Sequence, residues 1–257
     1  MSFAVDADAY DRFMGRYSSP LATAFCAFLN VAPGQRVLDV GCGPGALVAE
    51  LVERVGASSV TAVEPSPTFV AAVRSRFPRV DVRAASAEDL PFGDDTFDLA
   101  CAQLVVHFME DPSRGAAEMA RVARPGGSVA ACVWDFVGGR APVSPFWEAA
   151  TTVLGEIEDE SGLAGAGQGQ LTSLLASAGL LDLEETALQI SVRHETFDEW
   201  WEPFTLGVGP AGAAAASLGR DELDAIRRRC RELLGDGPFT LEAAAWAARG
   251  RVGARAI

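Results

Sequence analysis

VLDVGCGPGALV, which runs from Val37 to Val48, places three glycines at alternating positions between two apolar runs. The first run is typical of a buried strand, and ALVAELVERV (46–55) has the apolar spacing of a helix. Alternating glycines between a strand and a helix let a ligand approach the backbone where helix N–H groups point outward. The loop therefore predicts a ligand held closely against the backbone, which could be a dinucleotide, a phosphate or another small molecule.

The first half of the chain alternates short apolar runs with helical patterns, which is typical of βαβ units. We therefore expect an α/β fold with a Rossmann-like, mainly parallel, seven-stranded sheet flanked by helices. In the segment before the fifth strand, Asp111 followed by Pro112 is predicted to cap a helix. Strands are predicted at 36–40, 59–64, 79–85, 97–103, 128–136, 183–195 and 239–252, and helices at 19–30, 46–55, 67–77, 112–122, 145–159 and 170–180.

The second half is less regular and has a helical pattern over 197–235, between the last two predicted strands. A helical segment inserted before the last strand is expected to lie over the sheet as a cap. The chain is thus divided into an N-terminal helical lid (1–30), a ligand-binding α/β domain (31–196 and 236–257) and a helical cap insertion (197–235).

Composition excludes several classes of protein. The sequence contains no lysine, so all 21 basic residues are arginine. A P-loop needs a lysine on the phosphates and Schiff-base catalysis needs a lysine amine, so both are excluded. The formal net charge of −14 gives weak attraction to nucleic acid, and no nucleic-acid partner is expected.

The cysteines and the chain's apolar runs bear on cellular location. The five cysteines are scattered, with no CxxC pair and no nearby histidine, which favours reduced thiols over a disulfide framework or a zinc site. No metal is expected. The opening MSFAVDADAYDRF carries acids and lacks the apolar stretch of a secretory signal, and no apolar run approaches about 18 residues. We therefore expect a cytoplasmic protein without a membrane segment.

The residues around the glycine loop discriminate between ligands. The loop also matches G-x-G-x-x-A (41–46), close to the dinucleotide fingerprint, and Glu64 ends the second strand, where a ribose-binding acid is expected in either case. Asp39 lies just before the loop, where a buried acid needs a partner. A ligand ammonium group would supply that partner, whereas a pyrophosphate would be repelled. This favours a cationic ligand.

Two further segments carry a family resemblance: ASAEDLPFGDDTFDL (85–99) after the third strand and ARVARPGGSVAACVW (120–134) leading into the fifth. With the glycine loop, they make roughly residues 10–135 resemble the class I S-adenosylmethionine-dependent methyltransferases. The sequence is similar above all to the small-molecule group that includes the ubiquinone and menaquinone biosynthesis methyltransferases. The resemblance implies S-adenosylmethionine as cofactor and S-adenosylhomocysteine as product, with no phosphate involved.

The resemblance also implies roles for individual residues. Asp39 orients the loop and the amino end of the cofactor, and Glu64 accepts hydrogen bonds from both ribose hydroxyls. Gln103, just past the fourth strand, lies under the methionine part. The backbone of the glycine loop packs against the methionine and ribose parts, and the implied loop and neighbouring contacts are Gly41, Cys42, Gly43, Gly45, Pro65 and Ser66.

The resemblance also implies which residues contact the adenine and which belong to the lid. Ala87 and Glu88 are expected to flank the adenine. Many relatives carry an aspartate where this chain has Ser86, so Glu88 is the alternative contact to the adenine N6. YDRFMGRYS (10–18) resembles the lid of relatives, in which Arg16 would pair with the cofactor carboxylate and Tyr10 would cover it.

Methyl transfer is an in-line displacement, so positioning and exclusion of water can supply much of the catalysis. A general base is needed only where the acceptor must lose a proton. His107, after the fourth strand, is the candidate base or acceptor ligand, and its alternative is a packed side chain. Trp134 and Phe136 at the end of the fifth strand, with Trp200 and Trp201 in the cap, predict a small aromatic or lipophilic acceptor.

Three other functions stay open. A non-catalytic S-adenosylmethionine-binding protein would keep the fold without acceptor chemistry. A nucleic-acid methyltransferase would need a basic face. An NAD(P)-dependent oxidoreductase would use the G-x-G-x-x-A match, but the Tyr-x-x-x-Lys pair of short-chain dehydrogenases needs a lysine, and both tyrosines, Tyr10 and Tyr17, precede the glycine loop.

Overall fold

The computed structural model describes residues 11–254, and within them seven strands form one sheet. Strand order and direction agree with the expected Rossmann-like architecture. The strands are β1 (Val37–Val40), β2 (Val60–Glu64), β3 (Asp81–Ala84), β4 (Phe97–Gln103), β5 (Ala123–Trp134), β6 (Leu181–His194) and β7 (Phe239–Arg251).

The sheet has the order β3-β2-β1-β4-β5-β7-β6. β1 to β5 pair in parallel, and β7 runs antiparallel to both of its neighbours, β5 and β6. The chain builds outward from β1 to the β3 edge and then returns to place β4 on the other side of β1. Ligands of open α/β sheets bind at the carboxyl ends of the strands at such a switch point.

Helices flank the sheet and connect its strands. The connection between β6 and β7 contains three helices and a 3₁₀ segment (Glu202–Leu206), as the helical pattern of 197–235 predicts. The helices are α1 (Arg16–Phe28), α2 (Ala46–Val55), α3 (Pro67–Arg76), α4 (Pro112–Val122), α5 (Ser144–Leu154), α6 (Gln170–Ser177), α7 (Phe197–Trp201), α8 (Gly209–Ser217) and α9 (Arg220–Leu234).

The core lies between the sheet and its helices. All four residues of β1 are buried, as expected for a parallel strand covered on both faces, and the one polar residue among them is Asp39. α2 buries Leu47, Val48 and Leu51, which follow the helical spacing read from the sequence. Full burial of such a side chain contributes about 1.5–3 kcal/mol relative to exposure, so this face fixes α2 directly after the glycine loop.

Two predicted helix boundaries have different outcomes. The Asp111 carboxylate accepts a hydrogen bond of 3.0 Å from the N–H of Arg114, and Pro112 is the first residue of α4, which confirms the predicted cap. The helix predicted over 145–159 ends at Leu154, so its last turn was predicted wrongly. The next residue, Gly155, has φ +84°, which is outside the helical region and ends the helix. Glu160 consequently lies in a separate 3₁₀ turn, Glu160–Gly162.

All five cysteines are buried and form no disulfide. Among residues 11–254, no three His, Cys, Asp or Glu side chains are grouped in a way that could hold a metal ion. No helix in the described part of the chain is long and apolar enough to cross a membrane.

Candidate active site

Two backbone hydrogen bonds join the glycine loop to the end of β2. The N–H groups of Gly41 and Cys42 both donate to the carbonyl oxygen of Val63, at 2.8 and 3.0 Å. Gly41 has φ +72° and Gly43 has φ +50°, in the left-handed region that favours glycine. A Cβ at Gly41 would lie 2.5 Å from Cγ1 of Val105, so the loop can take this path only with glycine there.

Glu64 connects the glycine loop to the segment after β2. Its Oε2 accepts from the N–H of Gly43 at 3.0 Å, and its Oε1 accepts from the N–H of Ser66 at 2.9 Å. The residue is 6% exposed, and burial raises the pKa of its carboxyl group, against the lowering effect of these two hydrogen bonds. Each carboxylate oxygen can accept a further hydrogen bond, so Glu64 can still bind two ligand hydroxyls.

The largest of the cavities described here, the main cavity, has a volume of about 450 Å³ and lies beyond the ends of β1, β2 and β4. This size is in the usual range for small-molecule and cofactor sites. Val105 and Phe108 supply part of its apolar wall, and Arg114 of α4, which sequence reasoning missed, also lines it. The predicted cofactor residues that line it are Gly41, Gly43, Glu64, Pro65, Ser86 and Glu88.

Glu88 is held in the wall of the main cavity by the turn before α4. Its Oε1 accepts hydrogen bonds from the N–H groups of Glu110 (2.9 Å) and Asp111 (3.4 Å). Nε of Arg114 donates to the carbonyl oxygen of Glu88 at 2.8 Å. These contacts fix the position of Glu88, which lines the main cavity together with Ser86.

A second cavity of about 50 Å³, the Asp39 cavity, is lined by Asp39, Gln103 and Ser18 together with the glycine loop. Asp39 is 1% exposed, and its Oδ2 has no hydrogen-bond partner. Gln103 donates from Nε2 to the carbonyl oxygen of Ser18 at 3.0 Å, while its Oε1 has no partner. Burial, reinforced by the nearby charge of Glu64, raises the pKa of Asp39 to about 8. Two buried acceptors without donors are costly unless a ligand supplies the donors.

A third cavity of about 40 Å³, the His107 cavity, is lined by His107, Phe108, Trp134 and Phe136. His107 lies in a 3₁₀ turn after β4, its Nδ1 has no partner, and its ring centroid is 5.9 Å from that of Phe136. Burial lowers the pKa of His107 to about 3, so the imidazole is neutral at physiological pH. The structure thus brings together the predicted base and two of the predicted acceptor contacts.

Glu160 lines the same cavity and was missed in the sequence. It is 6% exposed, and its Oε2 accepts a hydrogen bond of 2.8 Å from Nε1 of Trp147. Burial raises its pKa to about 7; the Trp147 hydrogen bond lowers it and the charge of Asp159 raises it. The sequence EIEDESG (156–162) contains four acids, and no pattern in it marks the buried one.

Leu104, directly after β4, lines all three cavities. It has φ +60°, and its N–H donates to the carbonyl oxygen of Cys132 at 2.8 Å, which holds the turn against β5. A left-handed leucine costs about 1–2 kcal/mol, a strain that is typical of functional turns. The main, Asp39 and His107 cavities therefore share one lining residue.

Arg16 lies in a different environment from the one expected. Its Nη1 is 2.8 Å from Nδ1 of His194, and its Nη2 donates to Oε1 of Glu199 at 2.9 Å. Tyr17 completes the group, with its hydroxyl 2.9 Å from Nε2 of His194. The structure thus places Arg16 in contacts that join α1 to the ends of β6 and α7, and does not bring it to the Asp39 cavity. Tyr10 lies outside the described residues.

The two cap tryptophans are buried in an aromatic cluster. Ring centroids of Trp200 and Trp201 lie 4.8 and 5.9 Å from that of Phe204, and neither tryptophan lines the His107 cavity. Among the predicted cofactor residues, Gly45, Ser66 and Ala87 line neither the main cavity nor the Asp39 cavity, and Cys42 lines only the latter.

Residues 38–131 match a family model described as a methyltransferase domain. An uncharacterized methyltransferase of Mycobacterium tuberculosis is 36% identical over 135 residues, which cover 52% of this chain and 52% of that protein. The ubiquinone/menaquinone biosynthesis C-methyltransferase of Geotalea daltonii is 35% identical over 108 residues, 39% of this chain and 46% of that protein. The chain thus matches about half the length of the first of these relatives.

Solved structures share the fold over nearly the whole chain. A phosphoethanolamine N-methyltransferase of Haemonchus contortus in complex with S-adenosylhomocysteine has a TM-score of 0.59 at 17% identity, covering 97% of this chain and 57% of that one. A geranyl diphosphate methyltransferase in complex with S-adenosylmethionine has a TM-score of 0.54 at 19% identity, covering 93% and 87%. The domain match and the relatives show a methyltransferase domain over residues 38–131, and the solved structures show that the chain has the fold of S-adenosylmethionine-dependent methyltransferases.

Proposed function

We propose that this protein transfers the methyl group of S-adenosylmethionine to a small acceptor bound in the His107 cavity. The observation that carries the proposal is the pair of unpartnered oxygens, Oδ2 of Asp39 and Oε1 of Gln103, at one cavity beside the glycine loop. An ammonium group is the ligand chemistry that satisfies two acceptors and neutralises a buried carboxylate at once.

The residues present fit this cofactor. Asp39 and Gln103 would bind the ammonium group of its methionine part, and Glu64 would accept hydrogen bonds from the ribose hydroxyls with its remaining lone pairs. Ser86 and Glu88 would lie at the adenine end of the main cavity. When bound, the cofactor supplies a methyl group on a positively charged sulfur, which is an activated leaving group.

The chain's own contribution is position and exclusion of water. Leu104 lines all three cavities, and the hydrogen bond from its N–H to the carbonyl oxygen of Cys132 holds this turn against β5. His107 is neutral and its Nδ1 has no partner in the structure, so the imidazole can accept a hydrogen bond from the acceptor and position it, while its pKa of about 3 makes it a weak proton acceptor.

The predicted lid and cap would close the acceptor site. Phe13, from the turn before α1, and Val208 and Gly209, at the start of α8, all line the His107 cavity. The ring of Phe13 also packs edge-on against Phe204 at 5.2 Å, which joins the N-terminal segment to the cap. These contacts support treating the segments 1–30 and 197–235 as lid and cap over the α/β domain.

The acceptor would be small and aromatic or lipophilic. Trp134 and Phe136 line the His107 cavity, and Trp200 and Trp201 would support its wall indirectly, through Phe204. A cavity of about 40 Å³ suits one end of a small molecule rather than a polymer, and the net charge of −14 disfavours nucleic acid. A cytoplasmic location stays a prediction from the sequence.

The first test is a calorimetric titration of the protein with S-adenosylhomocysteine, alongside NADH and NADPH. We expect binding of S-adenosylhomocysteine alone. Binding of a nicotinamide cofactor instead would overturn the proposal and assign Glu64 to a dinucleotide ribose. Acceptors would then be screened with a labelled methyl donor, and binding of S-adenosylhomocysteine without transfer to any acceptor class would favour a non-catalytic binding protein.

A further inference from the structure

Given the methyl transfer proposed above, we infer that the acceptor is a primary amine whose positively charged amino group binds in the His107 cavity, with Glu160 as the carboxylate that holds it. The inference concerns the chemical class of the acceptor, which neither the fold nor the relatives determine.

A buried carboxyl group without a cation is the first observation. Glu160 lines the His107 cavity and is buried, and the hydrogen bond that the structure gives it is the one from Trp147. No arginine of the described chain lines this cavity, and the sequence has no lysine. Buried carboxylates in proteins are paired with a cation or lose their charge, so the missing partner is one that a ligand can supply.

The walls of the cavity provide the second observation. Phe13, Phe108, Trp134 and Phe136 line it, and His107 adds no positive charge because its imidazole is neutral. Aromatic faces attract a cation electrostatically, most strongly where the cation has left water. Aromatic walls around one carboxylate therefore favour an ammonium group over a neutral hydroxyl or an anion.

The cavity volume limits what enters. One water molecule needs about 10–15 Å³ of cavity volume. The His107 cavity, at about 40 Å³, therefore accommodates an amino group with one or two carbons. The body of the acceptor would extend out of this cavity. A primary amine on a CH₂ group meets this requirement, whereas a bulky quaternary ammonium group does not.

Glu160 would also accept a proton from the amine. An ammonium nitrogen has no lone pair, so one N–H bond must break before it can accept a methyl group. The electron pair of that bond stays on nitrogen, and the proton forms an O–H bond with the Glu160 carboxylate. Trp147 remains hydrogen-bonded to Oε2 and holds the carboxyl group in place during this exchange. A carboxyl group with a pKa of about 7 is suited to taking up and releasing a proton near neutral pH.

The test compares two ligands of the same shape that differ in charge, benzylamine and benzyl alcohol. Their affinities are measured by calorimetry at about pH 8 with the protein saturated with S-adenosylhomocysteine. In the unaltered protein we expect benzylamine to bind about 10-fold more tightly than benzyl alcohol or better. Equal affinities, or no binding of benzylamine by protein that binds S-adenosylhomocysteine, would overturn the inference.

Glu160→Gln keeps the size of the side chain and an oxygen acceptor for Trp147 while removing the charge. We expect it to abolish the preference for benzylamine and to leave the affinity for S-adenosylhomocysteine unchanged. Glu158→Gln, at an exposed acid two residues earlier, is the matched control and should keep the preference. A preference that survives in Glu160→Gln would overturn the role of Glu160. Failure of the proposed function is distinguishable, because it is seen as loss of S-adenosylhomocysteine binding by the unaltered protein.

Discussion

Asp39 and Gln103 line the same 50 Å³ cavity, and each has a side-chain oxygen without a hydrogen-bond donor. The sheet brings them together, because Asp39 of β1 is in register with Cys101 of β4 and Gln103 lies two residues further along the same face. The parallel pairing of two adjacent strands thus creates a site with two acceptors at the switch point of the fold.

The buried charge of Asp39 should destabilise the unliganded protein at high pH. Its folded-state pKa of about 8 lies above the ordinary value of 3.8, so its contribution to stability is complete below about pH 4 and is lost as pH rises through about 8. Asp39→Asn should therefore raise the melting temperature of the unliganded protein at pH 8 relative to the unaltered protein. Glu242→Gln, at an exposed acid of β7, is the control and should have no such effect.

The same substitution should weaken cofactor binding. Loss of a hydrogen bond to a charged group costs about 1.5–3 kcal/mol, so Asp39→Asn should bind S-adenosylhomocysteine at least about 10-fold less tightly. Calorimetric titration at about pH 7 measures this directly. An unchanged affinity would exclude an ammonium group beside Asp39.

Binding of S-adenosylhomocysteine at about pH 7 should release close to one proton. Asp39 is mostly protonated there in the unliganded protein, and a positive charge placed beside it lowers its pKa. Titrations in buffers with different ionisation enthalpies give the number of protons released. Binding of S-adenosylhomocysteine to Asp39→Asn should release far fewer protons. Proton uptake on binding to the unaltered protein would contradict an ammonium group beside Asp39.

Glu64→Gln should impair both functions of this side chain, which are holding the glycine loop and binding the ribose. The amide keeps one oxygen acceptor but turns an NH₂ group toward the N–H of Gly43 or Ser66, both of which now donate to the carboxylate. We expect the affinity for S-adenosylhomocysteine to fall about 10-fold or more, with a lower melting temperature as well. Full affinity in a calorimetric titration would refute the ribose role of Glu64.

The sequence predicted the elements whose pattern is local. The helix 46–55 and the strand 97–103 have the observed bounds, and the cap at Asp111 is as predicted. Each follows from a short-range rule: apolar periodicity, a run of buried residues, or an acid before a proline. Gly41 and Gly43 of the glycine loop line one cavity with Glu64, because the strand ends of a parallel sheet lie along one edge.

Contacts between distant segments were not predictable in this way. Arg16 lies 183 residues before Glu199, with which it forms an ion pair of 2.9 Å, and only the packing of α1 against the end of β6 brings them together. Glu160 lies in a separate 3₁₀ turn after Gly155 ends α5, and its side chain is buried at the cavity that Val208 and Gly209 also line. One acid among several in a polar segment carries no sequence signal for that burial.

His107→Asn should reduce turnover while leaving the affinity for S-adenosylhomocysteine unchanged, because the imidazole that lines the acceptor cavity would no longer position the acceptor. Because burial lowers its pKa to about 3, the rate of the unaltered enzyme should show no titration of this histidine above about pH 5. Rates against pH with a labelled methyl donor and an identified acceptor measure both effects. Full activity of His107→Asn would remove the residue from the mechanism.

Substitutions in the glycine loop should distinguish a packing constraint from a ligand contact. Gly41→Ala must place a Cβ 2.5 Å from Val105 in a left-handed conformation, at a combined cost of about 2–4 kcal/mol. Gly43→Ala has the same kind of backbone strain but meets nothing within 4 Å, so we expect a loss of only about 1–2 kcal/mol. Denaturant unfolding of the unliganded variants measures both losses.

Gly43→Ala should weaken cofactor binding although it costs less stability than Gly41→Ala. Gly43 lines both the main cavity and the Asp39 cavity, so an added methyl group that meets no protein atom there would take space from the cofactor. Folded Gly43→Ala should therefore bind S-adenosylhomocysteine at least about 10-fold less tightly. Adding Val105→Ala to Gly41→Ala should restore part of the lost stability, because the clash is relieved while the strain at φ +72° remains. No restoration in the double variant would show that backbone strain, and not the contact with Val105, requires glycine at position 41.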